Sequence, residues 1–122
     1  MNREIKFRGK CLVDIGNIKK GDWVYGGISY DTDRVWIDML YYGQILVDKE
    51  TVGQYTGLHD KNGKEIYEED IIRIKNSLIE IEGEVIFDTI DLSFEVYDKE
   101  NDCKEMLWYT NKKFEVLRKY IR

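Results

Sequence analysis

His59 stands beside Asp60 in the run GQYTGLHDKNGKEIYEED, residues 53–70, and a carboxylate next to an imidazole could orient it as a general base. It is the only histidine in the chain, which excludes a His-rich metal site, and no nucleophile is spaced with it for covalent catalysis. Asp31, Asp33 and Asp38 could gather a divalent cation through oxygen ligands, although an Asp-rich turn is the competing reading. In DKENDCKEMLWY, Asp98, Glu100 and Asp102 fall at calcium-loop spacing. That loop fails at its sixth position, where Cys103 replaces glycine, and at its twelfth, where Tyr109 replaces glutamate, so a solvated hairpin loop is expected there. Cys11 and Cys103 show no CxxC or His-Cys spacing and are expected as free thiols rather than as a disulfide. No GxGxxG, P-loop or GxSxG is present. No catalytic residue, cofactor or metal is therefore expected, with a small metal-dependent enzyme around His59 as a rival reading.

Binding chemistry is better represented than catalytic chemistry. Three Trp and nine Tyr exceed the needs of a small core, and amphipathic aromatics often lie at contact surfaces. Tyr41, Tyr42, Tyr55, His59 and Tyr67 are the candidate interaction surface, and Tyr55, His59, Tyr67 and Glu68 could also line a small pocket. Most of Trp23, Tyr25, Trp36, Trp108 and Tyr109 are expected to fill the core. The charge is uneven: residues 1–10 carry +3 and residues 112–122 carry +4, so a net −5 leaves −12 for the middle. Arg3, Lys6, Arg8, Arg118, Lys119 and Arg122 would contact phosphates only if the fold brought both ends onto one face, and the acidic middle argues against it.

The elements that must position these residues are strands. Hydrophobic content of 43% and aromatic content of 13% suit a folded domain rather than a disordered chain. Apolar residues alternate with polar ones in REIKFRG, where Ile5 and Phe7 face one way and Glu4, Lys6 and Arg8 the other. The paired glycines of WVYGGISY suggest a bulge or sharp bend, and DTD reads as the turn into RVWIDM. DKNG, residues 60–63, predicts a type I turn followed by a left-handed glycine, with Gly57 marking another bend. EEDIIRIK, EIEGEVIFD, LSFEVYD, EMLWYT and KFEVL follow as short strands. Helix is scarce, with a short turn near YEED and the tail VLRKYIR as its best candidates, since Leu117 and Ile121 are one turn apart. The reading is mainly β: bent antiparallel sheets, an N-terminal β subdomain (1–56) packed on a C-terminal SH3-like barrel (57–122). No apolar run approaches a membrane span and no signal peptide is recognised, so a cytoplasmic protein without membrane contact is expected.

The run VGQYTGLHDKNGKEIYEEDIIRI resembles the YopX-like family of small phage and prophage proteins, whose members carry a stretch close to QYTGLKDKNGKEIYEGDIV. The start, REIKFRGK, is similar as well, and GEVIF followed by FEV fits their second half. The resemblance implies a β-rich fold, a phage or prophage gene expressed in a bacterial host, and an accessory role whose biochemistry it does not supply. Self-association, or binding of a phage or host protein, is the expected mode of action. Glu69 stands where the family commonly has glycine in EGD, which argues against a left-handed backbone at that position.

Overall fold

The computed structural model describes residues 4–75, 80–107 and 114–119. Ten strands are formed: β1 (Phe7–Cys11), β2 (Trp23–Tyr30), β3 (Val35–Met39), β4 (Gly43–His59), β5 (Glu65–Tyr67), β6 (Asp70–Lys75), β7 (Glu80–Asp88), β8 (Ser93–Asp98), β9 (Cys103–Met106) and β10 (Phe114–Lys119). The β1–β2, β1–β4, β2–β3, β3–β4, β6–β7, β6–β10, β7–β8 and β8–β9 pairings are antiparallel, the arrangement that suits strands with one buried and one solvated face. Among the described residues no helix is long and apolar enough to cross a membrane. The chain divides into two compact units, Met1–Tyr55 and Thr56–Ile121.

The N-terminal unit closes on itself. β1 pairs β2, β2 pairs β3, β3 pairs β4, and β4 returns to pair β1, so these four strands form a ring. Closure needs strands that change partner along their length. β2 pairs β1 up to Gly26 and β3 from Gly27 onward, while β4 pairs β3 from Gly43 to Val47 and β1 from Val47 to Gln54. A Cβ on Gly26 would lie 2.1 Å from the Asp38 carbonyl oxygen, so the bend of the GG pair depends on having no side chain there. Cys11, Val24, Ile37, Ile45 and Val47 fill the ring. Trp23 and Trp36 are only half-buried and Tyr25 is exposed, because the alternation of β2 sends Val24 inward and its aromatic neighbours outward. The expectation of an aromatic core is thus replaced by an aliphatic one; Trp108 and Tyr109 lie outside the described residues.

The second unit is built on a sheet of order β10-β6-β7-β8-β9, with β5 paired to β4. Among the described residues no pairing joins β9 to β10. Ile66, Ile72, Ile74, Ile81, Val85, Val96 and Leu107 form its core. The tail expected as helix is strand: β10 pairs β6 from Phe114↔Ile74 to Lys119↔Asp70, with a register shift between Val116 and Arg118. Ladder hydrogen bonds along β6 outweigh a single i,i+4 apolar spacing. The cysteines are free thiols, Cys11 buried and Cys103 partly buried.

Glu69 corrects a further expectation. Its φ is +72°, so this chain keeps the left-handed turn with a side chain in place, and the Glu69 N–H donates to the Val85 carbonyl at 2.8 Å. A non-glycine residue in this region costs about 1–2 kcal/mol, partly offset by the lower unfolded-state entropy of a residue with a Cβ. Glu69→Gly should therefore raise unfolding stability by about 0.5–1 kcal/mol. Urea denaturation measures this, and a loss of stability would mean that contacts of the Glu69 side chain outweigh its backbone strain.

Candidate functional site

The polar run around His59 builds a corner. β4 ends at His59, the chain turns through DKNG, and Gly63 takes φ +82°. The Asp60 N–H donates to the Lys64 carbonyl at 2.7 Å, closing the turn. The Asp60 carboxylate organises it: Oδ1 accepts the Asn62 and Lys64 N–H groups at 2.8 and 2.9 Å, and Oδ2 accepts the Val116 N–H of β10 at 2.9 Å. Burial works to raise the Asp60 pKa, but the three backbone donors outweigh it and hold the carboxyl below its ordinary value. Asp70 plays a similar part at the next turn, where its Oδ2 accepts the Tyr67 N–H at 2.8 Å. Tyr67 is buried and its hydroxyl donates to Glu65 at 3.0 Å, whereas His59 is exposed. Asp60 is thus committed to three backbone N–H groups.

The remaining aromatic candidates lie in the first unit. Tyr55 is buried beneath the Lys6 ammonium, 5.1 Å from the ring centre. Tyr41 and Tyr42 occupy the β3–β4 hairpin tip with Leu40, and Tyr41 is 96% and Leu40 81% exposed. Tyr41 has φ +74°. The basic candidates do not make one patch in this unit: Arg8 is buried with its guanidinium 4.8 Å over Trp23, and Lys6 is 2.7 Å from Glu4. In the second unit Arg118 is exposed beside Glu82, and the backbone of Lys119 pairs with Asp70. Arg3 and Arg122 lie outside the described residues.

Neither acidic trio singled out by spacing converges. Asp31 turns the β2–β3 hairpin, its Oδ1 accepting from the N–H groups of Asp33 and Arg34, and these bonds lower its pKa. Asp98 does the same at the β8–β9 hairpin, lowered by Asn101 and Glu100. Among the described residues, the three carboxylates whose ligand atoms lie within 4.8 Å of one another are Asp88, Asp91 and Glu95, at the β7–β8 hairpin. Asp88 Oδ1 accepts from the Ile90 and Asp91 N–H groups, and the Lys104 ammonium donates to Oδ2 at 2.7 Å; Lys104, with those bonds, holds the Asp88 carboxyl well below the usual range. Burial, the facing Asp91 carboxyl and the Asp88 charge push Glu95 up. Sequence spacing missed this trio because its members meet only when the hairpin register sets Asp88 opposite Ser93 and Ile86 opposite Glu95.

An open cleft of about 450 Å³ lies elsewhere in the second unit, lined by Ile71, Glu82, Glu84, Tyr97, Glu100 and Arg118 among others. Its walls are mostly charged, unlike the apolar lining that small-molecule sites use.

The family model described as YopX protein matches residues 10–118, and the chain belongs to that family. No curated protein matches the chain.

The Asp60 geometry predicts a measurable stability term. Asp60→Ala leaves three backbone donors without their acceptor and should cost about 2–4 kcal/mol in urea unfolding. Because the folded pKa is depressed, the stabilisation is complete above the unfolded value near 3.9 and fades as pH falls through the lower folded value. Stability measured from pH 6 down to pH 2 should fall less steeply in Asp60→Asn than in the parent, and parallel curves would refute the assignment.

Proposed function

From its membership of the YopX family, we propose that this chain is a phage or prophage accessory protein of the bacterial cytoplasm that works by binding protein rather than by catalysis. The contact it makes is with further copies of itself, through the β3–β4 hairpin tip of Leu40, Tyr41 and Tyr42. The observation that carries this reading is Tyr41: a large apolar ring, 96% exposed, held at φ +74°, where glycine or asparagine would be the comfortable residue. Burial in the fold gives no reason for a tyrosine there, whereas tyrosine is a favoured anchor of protein interfaces. The backbone cost is repaid when the ring is buried against a partner, and residues in strained geometry often mark such sites.

Tyr41→Gly separates association from folding, since it removes the anchor while relieving the left-handed strain. Sedimentation velocity on the full chain should give assemblies of at least twice the 14.6 kDa chain mass in the micromolar range. Tyr41→Gly should weaken the association about 10-fold or more while leaving the thermal midpoint equal or higher. A parent protein that stays monomeric throughout, or a variant that associates as the parent does, would overturn the reading.

A further inference from the structure

The Asp88, Asp91 and Glu95 cluster holds an electrostatic problem that the hairpin does not solve by itself. Glu95 is 2% exposed, and its Oε1 accepts a 3.3 Å bond from the Ser93 hydroxyl. Its other oxygen, Oε2, is buried and has no hydrogen-bonding donor among the described residues. A buried carboxylate oxygen without a partner costs free energy, so a resident cation or a proton is needed to satisfy it. It belongs to a trio of carboxylates whose ligand atoms lie within 4.8 Å of one another, with Asp91 exposed at the mouth. The nearby cation, Lys104, is already engaged with Asp88 at 2.7 Å.

We infer that Asp88, Asp91 and Glu95 form a binding site for a hard divalent cation of calcium's size, with Glu95 Oε2 as the buried ligand and Asp91 as the ligand open to water. The all-oxygen donor set selects hard cations over zinc or copper. Size follows from spacing. Three oxygens at about 2.4 Å from one calcium can stand up to about 4.2 Å apart, so a trio whose ligand atoms all lie within 4.8 Å of one another can share one calcium with at most a small closure. Magnesium, at about 2.1 Å, needs the three oxygens within about 3.6 Å of one another and in near-octahedral geometry, a tighter demand than calcium's. Calcium's need for six to eight ligands is met by water on the Asp91 side, because three carboxylates alone do not fill its shell. The Asx bonds from Ile90 and Asp91 to Asp88 Oδ1 hold the turn in place before any ion arrives, so binding does not have to order the loop. The site lies at β7–β8, and its test is independent of the association reading.

Thermal unfolding of the full chain in CaCl2, against NaCl matched for ionic strength, reads the site directly. Calcium should raise the midpoint in a saturable way with half-saturation below about 1 mM, as ligand linkage requires. Magnesium at equal concentration should raise it less. Asp91→Asn removes an exposed ligand at little risk to folding and should weaken the calcium response about 10-fold or more, and Glu95→Gln should abolish it. No calcium-specific rise in the parent protein would overturn the site and leave a proton shared with Asp91 as the answer to Glu95. An equal or larger magnesium effect would overturn the calcium assignment. A wild-type response in Asp91→Asn would show that the effect comes from general screening, which also overturns the site.

Discussion

The Asp60 carboxylate does two jobs through three bonds. Two of its acceptors' partners, Asn62 and Lys64, lie inside the turn it shapes, and the third, Val116, lies 56 residues further along in β10. A local turn motif therefore also anchors a sequence-distant edge strand. Among the described residues β10 pairs only with β6, and that ladder has a register shift at its centre, so the ladder alone holds it weakly. The ion pair between Lys61 and Glu115 joins the same two segments at 3.2 Å, but both side chains are partly exposed and such pairs contribute only about 0–1 kcal/mol. A buried, charged acceptor with three backbone donors is the stronger link.

The same device recurs through the chain. Asp31, Asp48, Asp60, Asp88 and Asp98 each accept backbone N–H groups two or more residues ahead, and four of them stand where one strand hands over to the next. The sequence has no proline, and aspartate supplies the turn chemistry that proline often shares. This accounts for part of the −12 carried by the middle of the chain: these carboxylates are placed to receive N–H groups rather than to face a partner. Asp31 and Asp98 do not gather the partners that spacing suggested, since among the described residues the carboxylates that converge are Asp88, Asp91 and Glu95.

Period-two alternation in the sequence and the turn residues of DKNG gave away most strands and the corner at Asp60, because both depend on neighbours within a few positions. Three features depended on longer range. The tail was misread as helix because Leu117 and Ile121 are correctly spaced for one, while the β6 ladder that captures Phe114–Lys119 lies over forty residues away. Glu69 was misread because a Cβ disfavours φ +72° locally, whereas the Tyr67–Asp70 bond and the Glu69–Val85 bond on either side impose it. The Asp88 trio was invisible because DTIDLSFE reads as a polar turn followed by a strand, and only the pairing of β7 with β8 makes Glu95 a neighbour of Asp88.

Ring closure in the first unit narrows the ways in which it can associate. A sheet with free edges can recruit another copy by adding a strand, and the pairing of β1 to β4 around a ring shortens the edge open to that. On the proposed reading, contacts from that unit come from side chains at its loops. Positive-φ residues other than glycine occur at Tyr41, Glu69, Leu92 and Asp102, and two of these four are exposed apolar residues at hairpin tips. A tip selected for stability alone would carry Gly or Asn at those positions, as two-residue and three-residue hairpins ordinarily do. Leu92 sits beside Ile90, which is 88% exposed, so the second unit presents an apolar tip of its own. Both tips combine backbone strain with unburied apolar area, and burial of that area against a further surface would offset the strain.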